Sequence, residues 1–136
     1  PAEAIVVCKE KAPAIARSVA ETHGIQVKRV TFKSRNPNSV PDAWETQALK
    51  AMEKQLAEGA RPDTVEYSGV VHKGGKSTFR YTKALVMQEV CMTCHGTPET
   101  IPPAVQARLA TEYPNDKATG YLPNMLRGAI SIQRPL

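Results

Sequence analysis

Large aromatic side chains are scarce in this chain: 136 residues hold two Phe, one Trp and four Tyr. A single domain of this length has enough chain for a hydrophobic core. That core is thin, however, unless a bound apolar group supplies further surface. No apolar run reaches about 18 residues, so the sequence offers no membrane-spanning helix. The chain begins at Pro1 and lacks a basic-then-apolar leader, which is the pattern of a processed or trimmed mature form. There is no basic run interleaved with aromatics, so a nucleic-acid partner is not expected despite a net charge of +5. That surplus suits an acidic partner protein or an anionic surface, or is simply a solvated exterior. No internal repeat or low-complexity tract is present.

Cysteine is also rare, with three residues, but two of them stand in Cys91-Met92-Thr93-Cys94-His95-Gly96. The pattern is C-x-x-C-H. Two thiols at this spacing reach the two vinyl groups along one edge of a haem and form thioethers. The histidine that follows then lies under the iron and supplies an axial imidazole. A zinc site would need about four donors, and no second C-x-x-C or H-x-x-x-H pair exists. A redox dithiol usually opens a helix, whereas Gly96, Pro98, Pro102 and Pro103 follow too closely for a long one. The motif is therefore read as the attachment site of one covalent haem c. Covalent attachment is normally an extracytoplasmic process, which places the expected compartment in the periplasm or its equivalent.

The flanking chain reads as mixed helices and strands. Apolar residues at Ala4, Val7, Cys8, Ala12, Ile15, Ala16 and Val19 recur at helical steps and put Cys8 on the inward stripe. Pro13 is expected to kink that helix or restart it, and Gly24 to end it. Val27–Ser34 reads as a strand. Asp42, with Glu45 three residues on, is a capping-box start for a helix from about Ala43 to Ala57. Thr64–His72 and Ser77–Met87 read as two strands joined at Gly74-Gly75. Pro102–Glu112 reads as a short helix and Arg127–Gln133 as a last strand. The sum is an α+β domain with an antiparallel sheet and packed helices.

A second axial ligand is sought among Cys8, Met52, Met87, Met92, Met125, His23 and His72. Met92 lies inside the motif and cannot reach the other haem face. Met52 and Met87 sit at core positions, His72 borders the glycine turn, and His23 suits a helix C-terminus. The residues alone leave Cys8 and Met125 nearly even. Arg35 is a candidate for a haem propionate, or else a strand-end surface residue. Trp44 is a candidate for packing on the porphyrin edge, with ordinary core packing the preferred reading.

Several motifs, in order along nearly the whole chain, resemble the cyanobacterial Tll0287-like haem proteins. They are Ala4-Ile5-Val6-Val7-Cys8 with Ala12-Pro13; Arg35-Asn36-Pro37-Asn38 with Pro41-Asp42-Ala43-Trp44-Glu45; the Cys91–Gly96 motif; Tyr113-Pro114-Asn115-Asp116 with Ala118-Thr119-Gly120-Tyr121; and Arg127-Gly128-Ala129-Ile130-Ser131. One departure is Leu122-Pro123-Asn124-Met125, where the resemblance implies a Gly-Asp turn before the Arg-Gly strand. The resemblance implies a single PAS-like domain over residues 1–136, built around one c-type haem. It also implies that Cys8 ligates the iron opposite His95.

A thiolate ligand stabilises ferric iron and lowers the reduction potential, whereas a Met ligand raises it. The expected function is low-potential electron transfer with an unidentified redox partner. The alternative is a redox or gas sensor for NO or CO, in which Cys8 leaves the iron on reduction. Catalysis is not expected, because no distal acid–base pattern is visible.

Overall fold

The computed structural model describes all residues from Pro1 to Leu136. Helix α1 (Ala2–His23) is followed by strand β1 (Gln26–Val30), helix α2 (Ala43–Ala57), and strands β2 (Glu66–Lys73) and β3 (Lys76–Val86). The single turn α3 (Met92–His95), helix α4 (Pro103–Glu112) and strand β4 (Leu126–Pro135) complete the chain. The four strands form one sheet in the order β1-β4-β3-β2. Every neighbouring pair is antiparallel, so the expected α+β architecture is present.

Local chemistry explains several of the element ends. Gly24 takes the left-handed conformation at φ 61° and closes α1 by donating its N–H to the Ala20 carbonyl. Asp42 caps α2, its side chain accepting the Glu45 N–H at 2.8 Å. Gly74 and Gly75 both have positive φ, 59° and 74°, which is what a two-residue hairpin between β2 and β3 demands. Leu122–Met125 also forms a tight turn. Pro123 precedes Asn124, which takes φ 68°, and the Met125 N–H reaches the Leu122 carbonyl at 3.3 Å.

Other details differ from the sequence reading. Strand β1 ends at Val30 rather than Ser34, because Thr31 turns its N–H to the Ser39 carbonyl at 3.0 Å. Helix α1 runs through Pro13 without a break. Its apolar residues are not one inward stripe. Val7, Ile15 and Val19 are exposed, and Ile5 is the buried residue of the helix. The expected reciprocal cap from Glu45 is absent too. Its carboxylate is fully buried and accepts from Arg80 Nη2 at 2.8 Å, with Lys28 Nζ at 3.1 Å. A buried carboxylate needs a cation more than it needs a cap.

The core is divided. Helix α2 lays Ala48, Leu49 and Met52 over Val30, Val65, Ala84 and Ala129 of the sheet side. Trp44 joins this cluster, with its ring 5.4 Å from Tyr67 and under the Arg80 guanidinium at 4.7 Å. A second cluster ties Ile5 of α1 to Ile101, Val105 and Leu109 around α4. A third, Met87, Ala118 and Tyr121, supports the cysteine motif. A cleft opens between α1, β1, the end of β3 and α3.

Candidate functional site

Gly96 allows the motif to turn sharply. A Cβ there would meet Thr100 Oγ1 at 2.5 Å and the Met92 carbonyl at 2.7 Å, so no larger residue fits against α3. The chain then returns along the motif: Gly120 and Tyr121 donate their N–H groups to the carbonyls of Gly96 and His95 at 2.8 and 3.0 Å. This return puts the Ala118 carbonyl 2.8 Å from His95 Nδ1. A carbonyl only accepts, so Nδ1 carries the proton and Nε2 keeps a lone pair for a metal. Burial pushes the His95 pKa down to about 4; the Ala118 hydrogen bond opposes this, and Arg127 and Arg35 reinforce it. The imidazole is therefore neutral and ready to ligate at pH 7.

Ala118 is itself held. Its N–H donates to Asp116 Oδ1 at 2.9 Å. Arg35 binds the same carboxylate, through Nε to Oδ1 and Nη2 to Oδ2, both at 3.0 Å. Arg35 Nη2 also donates to the Cys94 carbonyl at 2.6 Å and to the Ala118 carbonyl at 3.3 Å. Arg35 thus lines the cleft, but its bonds clamp the histidine-supporting loop to the motif.

The cleft has a volume of about 590 Å³, within the roughly 300–1,000 Å³ usual for cofactor sites. Cys91, Cys94 and His95 border it from one side, and Ala4, Ile5, Cys8, Ala12 and Ala16 of α1 from another. Cys8 is thus brought to the motif from 83 residues away in sequence while remaining an exposed thiol. The small alanines of α1 face the space, and its bulkier Val7, Ile15 and Val19 do not.

The other sequence candidates lie elsewhere. Met125 is not a cleft residue; its Sδ accepts the Leu122 N–H at 3.3 Å. Trp44 belongs to α2, which contributes nothing to the cleft. Met52 and Met87 are core residues, His72 bonds Ser77 Oγ at 2.7 Å beside the hairpin, and His23 ends α1. No three His, Cys, Asp or Glu side chains are grouped to hold a bare metal ion.

Three contributors were not singled out from sequence: Tyr113, Arg29 and Arg127, all lining the cleft. Arg127 is fixed by Thr31, donating Nη1 to Oγ1 at 2.9 Å, and by the Lys33 carbonyl at 3.3 Å. Only the Arg-Gly pair at the start of the last strand hinted at it.

No helix is long and apolar enough to cross a membrane. No curated protein matches the chain. Among solved structures, the cyanobacterial haem protein Tll0287 is similar, with 29% identity and a TM-score of 0.74. The match covers 95% of this chain and 71% of that one. The family model described as Tll0287-like matches residues 2–135, and this chain belongs to that family.

Proposed function

We propose that the chain carries one haem in this cleft and serves as an extracytoplasmic electron carrier of low potential. Cys91 and Cys94 supply the thioethers, His95 one axial ligand and Cys8 the other. The observation that carries the reading is the convergence of these four residues on one cleft, with His95 Nδ1 tied to Ala118 so that Nε2 is free. The solved relative is a haem protein, and the residues here fit the group. The alanines of α1 leave room for a flat ligand. The cleft is lined by six Lys and Arg side chains and no Asp or Glu, which suits a group bearing two carboxylates.

When bound, the group supplies a ferric/ferrous couple, which a thiolate ligand biases toward ferric. The protein's part is to hold and tune. Ala118 orients the imidazole, and the Arg35–Asp116 pair fixes Ala118. Cys8 ligates as a thiolate, because metal-bound thiols lose their proton. We assign no catalytic residue.

The alternative is a redox or gas sensor, in which Cys8 leaves the iron on reduction.

Optical and EPR spectra of the ferric protein beside Cys8→Ser test these readings. The expected result is covalently bound haem with a low-spin thiolate signal that is lost in Cys8→Ser. Absence of covalent haem overturns the proposal. A signal indifferent to the substitution, with a Met-type charge-transfer band, moves the ligand to Met125 and makes the carrier a high-potential one. Binding of CO after reduction supports sensing; an unchanged six-coordinate spectrum opposes it.

A further inference from the structure

Strand β4 contains one residue too many. Leu85 pairs with Gly128 and Val86 with Leu126, which leaves Arg127 without a partner on β3. This is a β-bulge. Its effect is visible in the packing. Leu126 and Ala129 both contact the core under α2, although residues three apart on a regular strand face opposite ways. The extra residue absorbs the difference, and Arg127 and Gly128 both border the cleft. Gly128 is required for this, since a Cβ there would stand 2.3 Å from the Val30 carbonyl oxygen.

The side chain so delivered has an unbalanced charge. Of the six cations lining the cleft, Lys9, Lys28 and Arg35 are paired with Glu112, Glu45 and Asp116. Arg17, Arg29 and Arg127 have no carboxylate partner. Arg127 is the half-buried one of these three. Its pKa is pushed down, first by burial and then by Arg29 and Arg35, with Tyr121, whose ring centroid is 5.4 Å from Cζ, opposing. Nature seldom leaves a desolvated guanidinium beside two others without an anion. Thr31 and the Lys33 carbonyl hold only Nη1, so Nε and Nη2 take no part in these bonds.

We infer that Arg127, aimed by the bulge, and Arg29 on the adjoining strand β1 bind the two haem propionates. The inference rests on the haem reading and assigns the orientation of the group: carboxylates toward β1 and β4, and vinyl edge toward α3. Arg35, already neutralised by Asp116, is a positioning residue.

The test uses haem-loaded wild type, Arg127→Met, Arg127→Lys, Arg29→Gln and Arg61→Gln. The last removes one surface charge paired with Asp63, away from the cleft. Resonance Raman propionate-bending bands and the reduction potential are measured. Both arginine deletions are expected to shift the bands and lower the potential, since losing a cation favours ferric iron. Arg127→Lys restores the potential but not the band position, because a point charge replaces a two-donor fork. If Arg127→Met fails to fold, Arg29→Gln decides, its side chain being exposed. Bands and potential matching Arg61→Gln in both deletions overturn the inference while leaving the haem reading intact. A wild type without covalent haem overturns both.

Discussion

His95 and Ala118 are joined by a 2.8 Å hydrogen bond from imidazole Nδ1 to a backbone carbonyl 23 residues downstream. This bond sets the tautomer and leaves the Nε2 lone pair free. Everything that fixes Ala118 therefore acts on this imidazole.

Asp116→Ala removes the acceptor for the Ala118 N–H and strands Arg35, whose side chain is 12% exposed. Breaking one side of such a shielded pair costs about 3 kcal/mol. Urea denaturation should show that loss. In the haem-loaded protein, the axial imidazole should also become heterogeneous by EPR. A variant with wild-type stability and a single unshifted EPR species would deny Asp116 its positioning role.

Gly128→Ala sets a methyl group against the Val30 carbonyl oxygen at 2.3 Å. Neither strand can yield without breaking the β1–β4 register, where Val30 pairs with Ala129. Overpacking of this kind costs about 1–3 kcal/mol, read as a lower thermal midpoint. Because the same glycine carries the bulge, the propionate-bending bands should move as well. Gly120→Ala is the useful comparison. It shares a positive φ, 81°, but its nearest neighbour is the flexible Lys33 ammonium at 3.6 Å, so it should lose stability without disturbing those bands.

Protein prepared without haem should be sensitive to acid through His95. Burial holds its folded pKa at about 4, against about 6.5 in an unfolded chain. Between these values the unfolded state binds more protons, so stability falls as pH falls through that window and is level above it. The contribution is on the order of 2–3 kcal/mol. Denaturation series from pH 4 to 8, with His95→Gln alongside, measure it. A wild-type slope no steeper than that of the variant would sink the prediction.

Much of this fold was legible because its signals are local. Asp42 before an apolar run, Gly24 after one, and Gly74-Gly75 between two β-rich stretches each act within a few residues. The C-x-x-C-H motif is legible for the same reason, since thiol spacing is a property of five adjacent residues. Periodicity along α1 found a helix but not the side it covers. Val7, Ile15 and Val19 have the right spacing for a core and face solvent, because the covered side is chosen by what α1 packs against. The sequence leaves Arg35 between a propionate contact and a surface role, and reads Trp44 first as core packing. The structure commits the bonds of Arg35 to Asp116 and the motif backbone, and the ring of Trp44 to Tyr67 and Arg80.

The sequence by itself determined the helix and turn boundaries, the antiparallel hairpin and the thiol–thiol–imidazole spacing, because each follows from short-range sterics and hydrogen bonding. Only the tertiary structure decided that Cys8 stands at the motif's cleft and Met125 does not, that Ala118 holds His95, and that Arg127 and Arg29 border the same cleft. Those relationships join residues 23 to 98 positions apart. They depend on strand pairing, one β-bulge and the packing of α1 on α4, none of which a local pattern encodes.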